Sequence, residues 1–224
     1  MAEAGFPTRF AIFPLPNAVL FPGTYLPLHI FEPRYRAMME AALASQPVIG
    51  MILLRPEADA MAERAPVFSV GCAGRIAEHR RLPDGRFHLL LHGERRFRIA
   101  RELPLAPGGF REVEAELLAD PSFAELAPAA QRALETARTE LEARMLELVR
   151  LTSPKSADAL GERMRALDPV LLANAIAFGL DGPSLERQSL LESSDPMARS
   201  ELLARVLSIR VAEARLPDGP QSVN

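Results

Sequence analysis

Tryptophan is absent, cysteine occurs once and tyrosine twice. With Cys72 alone there is no internal disulfide and no cysteine-cluster zinc site, which fits a reducing cytoplasm. The low aromatic content, 6%, leaves no stacking platform for single-stranded nucleic acid. Lysine is nearly missing as well: of 26 basic residues, only Lys155 is a lysine. The arginine bias reads as a matter of genome composition more than of phosphate binding, although arginine does suit planar, bidentate contacts. Net charge is −3, with a pI of about 5.9, so bulk electrostatics draw the chain neither to nucleic acid nor to anionic membrane. No apolar run approaches the roughly 20 residues of a membrane span. The first ten residues, MAEAGFPTRF, lack the basic-then-apolar order of a secretory signal. The 224 residues, 48% of them hydrophobic, suffice for one large domain or two small ones.

What the chain does have is a dense block at 12–35, IFPLPNAVLFPGTYLPLHIFEPRY. Prolines at Pro14, Pro16, Pro22 and Pro27 lock φ and remove ladder donors, which rules out one helix or one central strand. The block reads as an edge strand at Ile12–Phe13, a bend at Pro22-Gly23, a second strand over Tyr25–Ile30 and a helix opening at Glu32-Pro33. Further strand signals run to about residue 119. Val48–Leu54 is a continuous apolar run. Val67–His79 carries Gly71 and Gly74, which suggests curvature, and Leu82-Pro83-Asp84-Gly85 is a turn. Alternation follows through Phe87, Leu89 and Leu91, then Phe97 and Ile99, then Val113, Ala115 and Leu117. With one helix near Arg34–Leu43, this implies a small closed or half-closed barrel.

Residues 120–216 carry helical spacing instead. Asp-Pro pairs at Asp120-Pro121, Asp168-Pro169 and Asp195-Pro196 read as helix starts. Leu134, Ala137, Leu141, Met145 and Leu148 make one stripe; Leu160, Met164 and Leu167 make another. Leu171, Ala175 and Phe178 precede a capping Gly179, and Leu202, Val206 and Ile209 complete the set. The expected partition is a β subdomain over 1–119, a helical subdomain over 120–216 and a frayed tail over 217–224.

Several blocks in order resemble the N-terminal substrate-binding domain of the ATP-dependent protease Lon, in its free-standing bacterial form. They are Phe13-Pro14-Leu15-Pro16-Asn17 with Val19 to Gly23, Leu26-Pro27-Leu28 with Ile30 to Tyr35, and Val70 to Gly74 with the LPDG turn. His92-Gly93-Glu94-Arg95-Arg96-Phe97 and a helical end through Leu172–Ala177, Arg187-Gln188 and Leu190–Glu192 follow. The resemblance implies an α+β fold, a PUA-like β pseudo-barrel followed by a C-terminal helical bundle. It also implies polypeptide segments or client proteins as partners, with a separate protease or ATPase to receive them. No Walker A loop precedes Lys155, and no Ser-Lys, Ser-His-Asp or Cys-His constellation is recognisable. The expectation is therefore a non-enzymatic recognition module without cofactor or metal, ending where the first module of Lon would end.

Candidate partner-binding residues are Leu20, Phe21, Tyr25 and Phe31, which form either core or an exposed groove, and Glu32, Arg34 and Tyr35 at a helix start. A plain ion pair at the helix dipole is the competing explanation for the last three. Because PUA-like barrels elsewhere bind RNA, an arginine-rich strand face offers an alternative. It comprises Arg80, Arg81, Arg95 and Arg96, with Arg86 and Arg98 nearby; the acidic pI and the interleaved Glu78 and Glu94 argue against it. His79 and His88 flank the LPDG turn and are expected on one sheet face, with His92 further along it. A third metal ligand is lacking, so a solvated polar face is the better reading. Cys72, in an apolar strand, reads as a buried small hydrophobe.

Overall fold

A computed structural model of the chain describes residues 5–58, 62, 64–119, 121–193 and 195–216. The strands are β1 (Arg9–Leu15), β2 (Tyr25–Ile30), β3 (Val48–Leu53), β4 (Val70–Arg81), β5 (Phe87–Glu102) and β6 (Arg111–Leu117). The helices are α1 (Pro33–Ala44), α2 (Pro128–Thr152), α3 (Ala157–Arg165), α4 (Pro169–Gly179), α5 (Ser184–Glu192) and α6 (Pro196–Ala214). No helix among the described residues is long and apolar enough to cross a membrane. The chain divides into two compact units, Met1–Asp120 with Leu180–Glu192, and Pro121–Gly179 with Ser193–Asn224. The helix α5 therefore groups with the sheet, although it lies within the helical stretch of the sequence.

In the first unit all six strands join one mixed sheet, ordered β2-β5-β4-β3-β1-β6, with a further β5–β6 pairing. That pairing closes five strands into a ring and leaves β2 as an extra strand on β5. The closure depends on the length of β5. Its residues Phe87–His92 pair with β2 and Phe97–Glu102 pair with β6, while β4 runs along its other side. A bulge between Ala73 and Gly74 marks the handover, and such bulges increase twist and bend a strand. Inward side chains fill the ring: Phe10, Ile12, Val48, Ile52, Ala73, Phe97 and Val113 form a contiguous core. Phe10 and Phe97 meet edge to face at 5.1 Å between centroids. Each buried Phe, Ile or Val among them contributes about 1.5–3 kcal/mol of transfer free energy.

The strand expected at the sheet edge, Ile12–Phe13, is instead interior. β1 lies parallel to β3 and antiparallel to β6. Pro14 is tolerated there because the β6 pairing covers only Arg9–Ile12, and the chain reaches Pro14 after β6 has parted from it. The segment around Phe21 presses onto β5 at Gly93. Gly93 donates its N–H to the Thr24 carbonyl and accepts from the Gly23 N–H, and a Cβ added at Gly93 would lie 2.2 Å from the Phe21 carbonyl oxygen. Only glycine permits that approach.

The second unit is helical. Leu134, Ala137 and Leu141 of α2 are buried, as their 3–4 spacing requires. On α4 and α6 the buried stripes run through Leu172 and Ile176 and through Leu203, Val206, Leu207 and Val211. Of the stripes expected there, Leu171 and Ile209 are exposed, because a helix that is apolar around most of its circumference does not fix its own phase. Two of the Asp-Pro starts act as expected. Asp168 Oδ1 accepts from the N–H groups of Val170 and Leu171, and the Asp195 carboxylate accepts from Ala198 N–H, each at 2.9 Å. At the third, Pro121 is not helical; a Ser122–Glu125 capping box opens a short 3-10 turn and α2 begins at Pro128. Asp120 and the tail 217–224 lie outside the described residues.

Replacing Gly93 by alanine forces a backbone shift at the closure, and a loss of about 1–3 kcal/mol is expected. Urea unfolding of Gly93→Ala reads this. Gly179→Ala, where an added Cβ meets nothing within 4 Å, is expected to hold the midpoint.

Candidate binding face

The strand β2 alternates strictly. Leu26, Leu28 and Ile30 turn toward the core side with their register partners Leu91, Leu89 and Phe87. Tyr25, Pro27 and His29 turn outward opposite His92, Leu90 and His88. Phe31 continues the outward row past the strand end. Tyr25 is 52% exposed and Phe31 59% exposed. The two aromatics are six positions apart, roughly 20 Å along an extended chain. Between them the rings form a row: Tyr25 stacks on His92 at 4.5 Å, His29 meets His88 at 4.9 Å, and His29 lies 5.8 Å from Phe31. Among the described residues β2 pairs with β5 alone, so its other edge is open. Pro27 removes one donor from this strand, a device that limits indiscriminate edge pairing.

The other candidates separate sharply. Leu20 and Phe21 are fully buried and belong to the core against β5, so they line no exposed groove. Tyr35 is also buried, 4.4 Å from the Phe13 ring. Burial holds the Tyr35 phenol above its ordinary value, with the Arg34 cation partly opposing. Arg34 Nε donates to Glu32 at 3.0 Å and its guanidinium lies 4.6 Å from the Tyr35 ring centroid. These two residues thus build the half-buried ion pair of a helix start, next to Phe31.

The arginine face does not assemble. Arg96 is 0% exposed. It donates to the Leu191 carbonyl at 2.9 Å and the Ala119 carbonyl at 3.4 Å, which ties β5 to α5 and to the end of β6. Beside it, Gln188 Nε2 donates to the Val70 carbonyl at 2.9 Å. Arg95 is exposed, yet it faces Ala73 on β4, whereas Arg80 and Arg81 sit at the far end of that strand. Seven residues of strand separate Ala73 from Arg80, roughly 23 Å. Arg81 pairs with Glu40, Arg75 with Glu94 and Arg101 with Glu114, so the barrel surface is charge-interleaved.

His79 and His88 lie on opposite faces, not one. The turn closes with Leu82 N–H on the Arg86 carbonyl, which sets His79 opposite Leu89 and His88 opposite Arg80. Cys72 is fully buried. The participants that the sequence reading missed are Pro27, His29 and Leu90. Their signal was the period-two row Tyr25-Pro27-His29-Phe31.

Residues 9–208 match the profile of the family described as the ATP-dependent protease La (LON) substrate-binding domain. The chain belongs to this family. A Lon protease of Paraburkholderia phytofirmans is 30% identical over 210 residues, covering 92% of this chain and 25% of the relative. The Lon-type chain therefore spans about a quarter of that protein's length. The crystal structure of a Lon N-terminal domain protein from Xanthomonas campestris superposes with a TM-score of 0.61 at 25% identity, covering 89% of this chain and 98% of that one. The N-terminal domain of a Mycobacterium avium complex Lon protease, at 19% identity, shares the fold with a TM-score of 0.67, covering 91% of this chain and 98% of that one. The α+β architecture expected from the sequence is the architecture found.

Removing the Arg96 cation takes the donor from the buried Leu191 carbonyl of α5. Arg96→Leu is expected to cost about 3 kcal/mol in chemical denaturation, whereas Arg95→Ala stays within about 0.5 kcal/mol. The raised Tyr35 phenol gives a pH signature. A group whose pKa is raised by folding adds stability that is complete below the unfolded value, about 10. That stability is lost as pH rises through the higher folded value. A spectrophotometric titration is expected to show one late-ionising tyrosine, and Tyr35→Phe to abolish that phase.

Proposed function

We propose that this chain is a substrate-recognition module of the Lon type, which binds extended polypeptide along β2 and performs no chemistry of its own. The observation that carries the reading is an edge strand whose open side coincides with an exposed row of rings. An incoming segment would add a strand to β2 through main-chain hydrogen bonds, a sequence-tolerant source of affinity. Its alternate side chains would then lie against the outer row, where Tyr25 and Phe31 offer apolar area. Two aromatics roughly 20 Å apart span about six residues of client. This suits a module that selects exposed hydrophobic stretches, not one sequence. The family membership supports it, since the family is described as a substrate-binding domain. In the cell such a module would act in quality control, holding clients for a separate protease or ATPase.

The test is anisotropy of a fluorescein-labelled unstructured polypeptide, such as casein, with the intact chain. Tyr25→Ala combined with Phe31→Ala is expected to weaken binding at least about tenfold. Both side chains are exposed, so the thermal midpoint should move by no more than about 2 °C. Unchanged affinity in the double variant would overturn the reading.

A further inference from the structure

Strand pairing brings together two histidines that the sequence keeps far apart. His29 on β2 is the register partner of His88 on β5. Both side chains are exposed on the outer face, and their ring centroids lie 4.9 Å apart with planes at 86°. A late first-row metal binds imidazole nitrogen at roughly 2.0–2.1 Å, which places each ring centroid roughly 3.2 Å from the ion. Two such rings at the 90–109° angles of square-planar or tetrahedral coordination have centroids about 4.5–5.2 Å apart. The observed separation falls inside that window without movement of the backbone. The terminal torsion of histidine is broad, so each ring can turn a nitrogen toward a common point.

The surroundings limit the site to two protein donors. His92 follows His88 by four strand positions, roughly 13 Å, and is stacked on Tyr25. Arg80 faces His88 from β4 and offers no lone pair. No group of three or more His, Cys, Asp or Glu side chains among the described residues is placed to hold a metal ion. We propose that His29 and His88 form a two-imidazole chelate for borderline divalent ions, copper(II) before nickel(II) or zinc(II), whose remaining positions are filled by water. The preference follows from nitrogen donors and the usual stability order, in which copper(II) exceeds both neighbours. The two histidines lie in the same outward row that the polypeptide-binding reading uses, but the observations behind the chelate stand without that reading.

Copper(II) chloride titrated into the intact chain, followed by calorimetry and electron paramagnetic resonance, tests this. One equivalent is expected to bind with hyperfine coupling from two imidazole nitrogens, and nickel(II) and zinc(II) to bind more weakly. His29→Ala and His88→Ala are each expected to lose one coupled nitrogen and at least about tenfold in affinity, because the second arm of a chelate acts at high effective concentration. His79→Ala, on the opposite face, is expected to bind as the parent does. All three positions are exposed, and circular dichroism verifies the fold of each variant. The proposal is overturned if the parent shows no two-nitrogen coupling. It is equally overturned if the His29 and His88 variants bind copper as the parent does, or if His79→Ala loses as much.

Discussion

One strand serves two partners on a single edge, and the sheet unit follows from that. β5 gives its first half to β2 and its second half to β6 while β4 holds its other side. Had β5 stopped at Gly93, β6 could not have closed the ring and β2 would have had no reason to stand outside it. The handover needs a bulge on the β4 side and a bare α-carbon at Gly93, where the Phe21 carbonyl comes within a distance no side chain allows. Just past the handover, at Arg96-Phe97, both faces of β5 are covered. Phe97 points into the ring, while Arg96, its neighbour on the opposite face, is sealed beneath α5. A buried cation is costly unless its donors are met. The Leu191 and Ala119 carbonyls meet Arg96, which is why a helix distant in sequence belongs to the sheet unit.

The exposed face is the other consequence of the same arrangement. Because β2 attaches only to the first half of β5, its outer edge remains open and its outward side chains stay in solvent. The inner row, Leu26, Leu28 and Ile30, anchors the strand to the core, so the outer row is presented on a rigid support rather than a loop. Pro27 restrains the hazard of an open edge without closing it. The charged pairs over the rest of the barrel each contribute little to stability, about 0–1 kcal/mol. They do leave the ring-lined strip as a compositionally distinct part of that surface.

Much of this was legible in the residues. The run at Val48 and the helix at Arg34 appear within a residue or two of where periodicity put them. The starts at Asp168 and Asp195 do too, because local propensity and tertiary packing agree there. The misplacements share a cause. Arg95-Arg96 beside Phe97 looks like a solvent face, since alternation assigns sides but does not say what covers them. Leu20 and Phe21 read as core by default with a groove as the alternative, and their packing on Gly93 puts them in the core. Pro14 suggested an edge because proline excludes a donor, but which neighbour departs, and where, is not a property of Pro14.

By itself, the sequence determined most of the elements, their order, the family and, with a single cysteine, the lack of any cysteine-cluster metal site within these residues. Those properties rest on spacings of a few residues, which backbone geometry translates directly. Only the tertiary structure decided which strand holds an open edge, which arginine is buried, and that His29 meets His88 while His79 does not. Each of these depends on register between segments separated by dozens of residues. A slip of one position reverses every face, and nothing local in the chain encodes it.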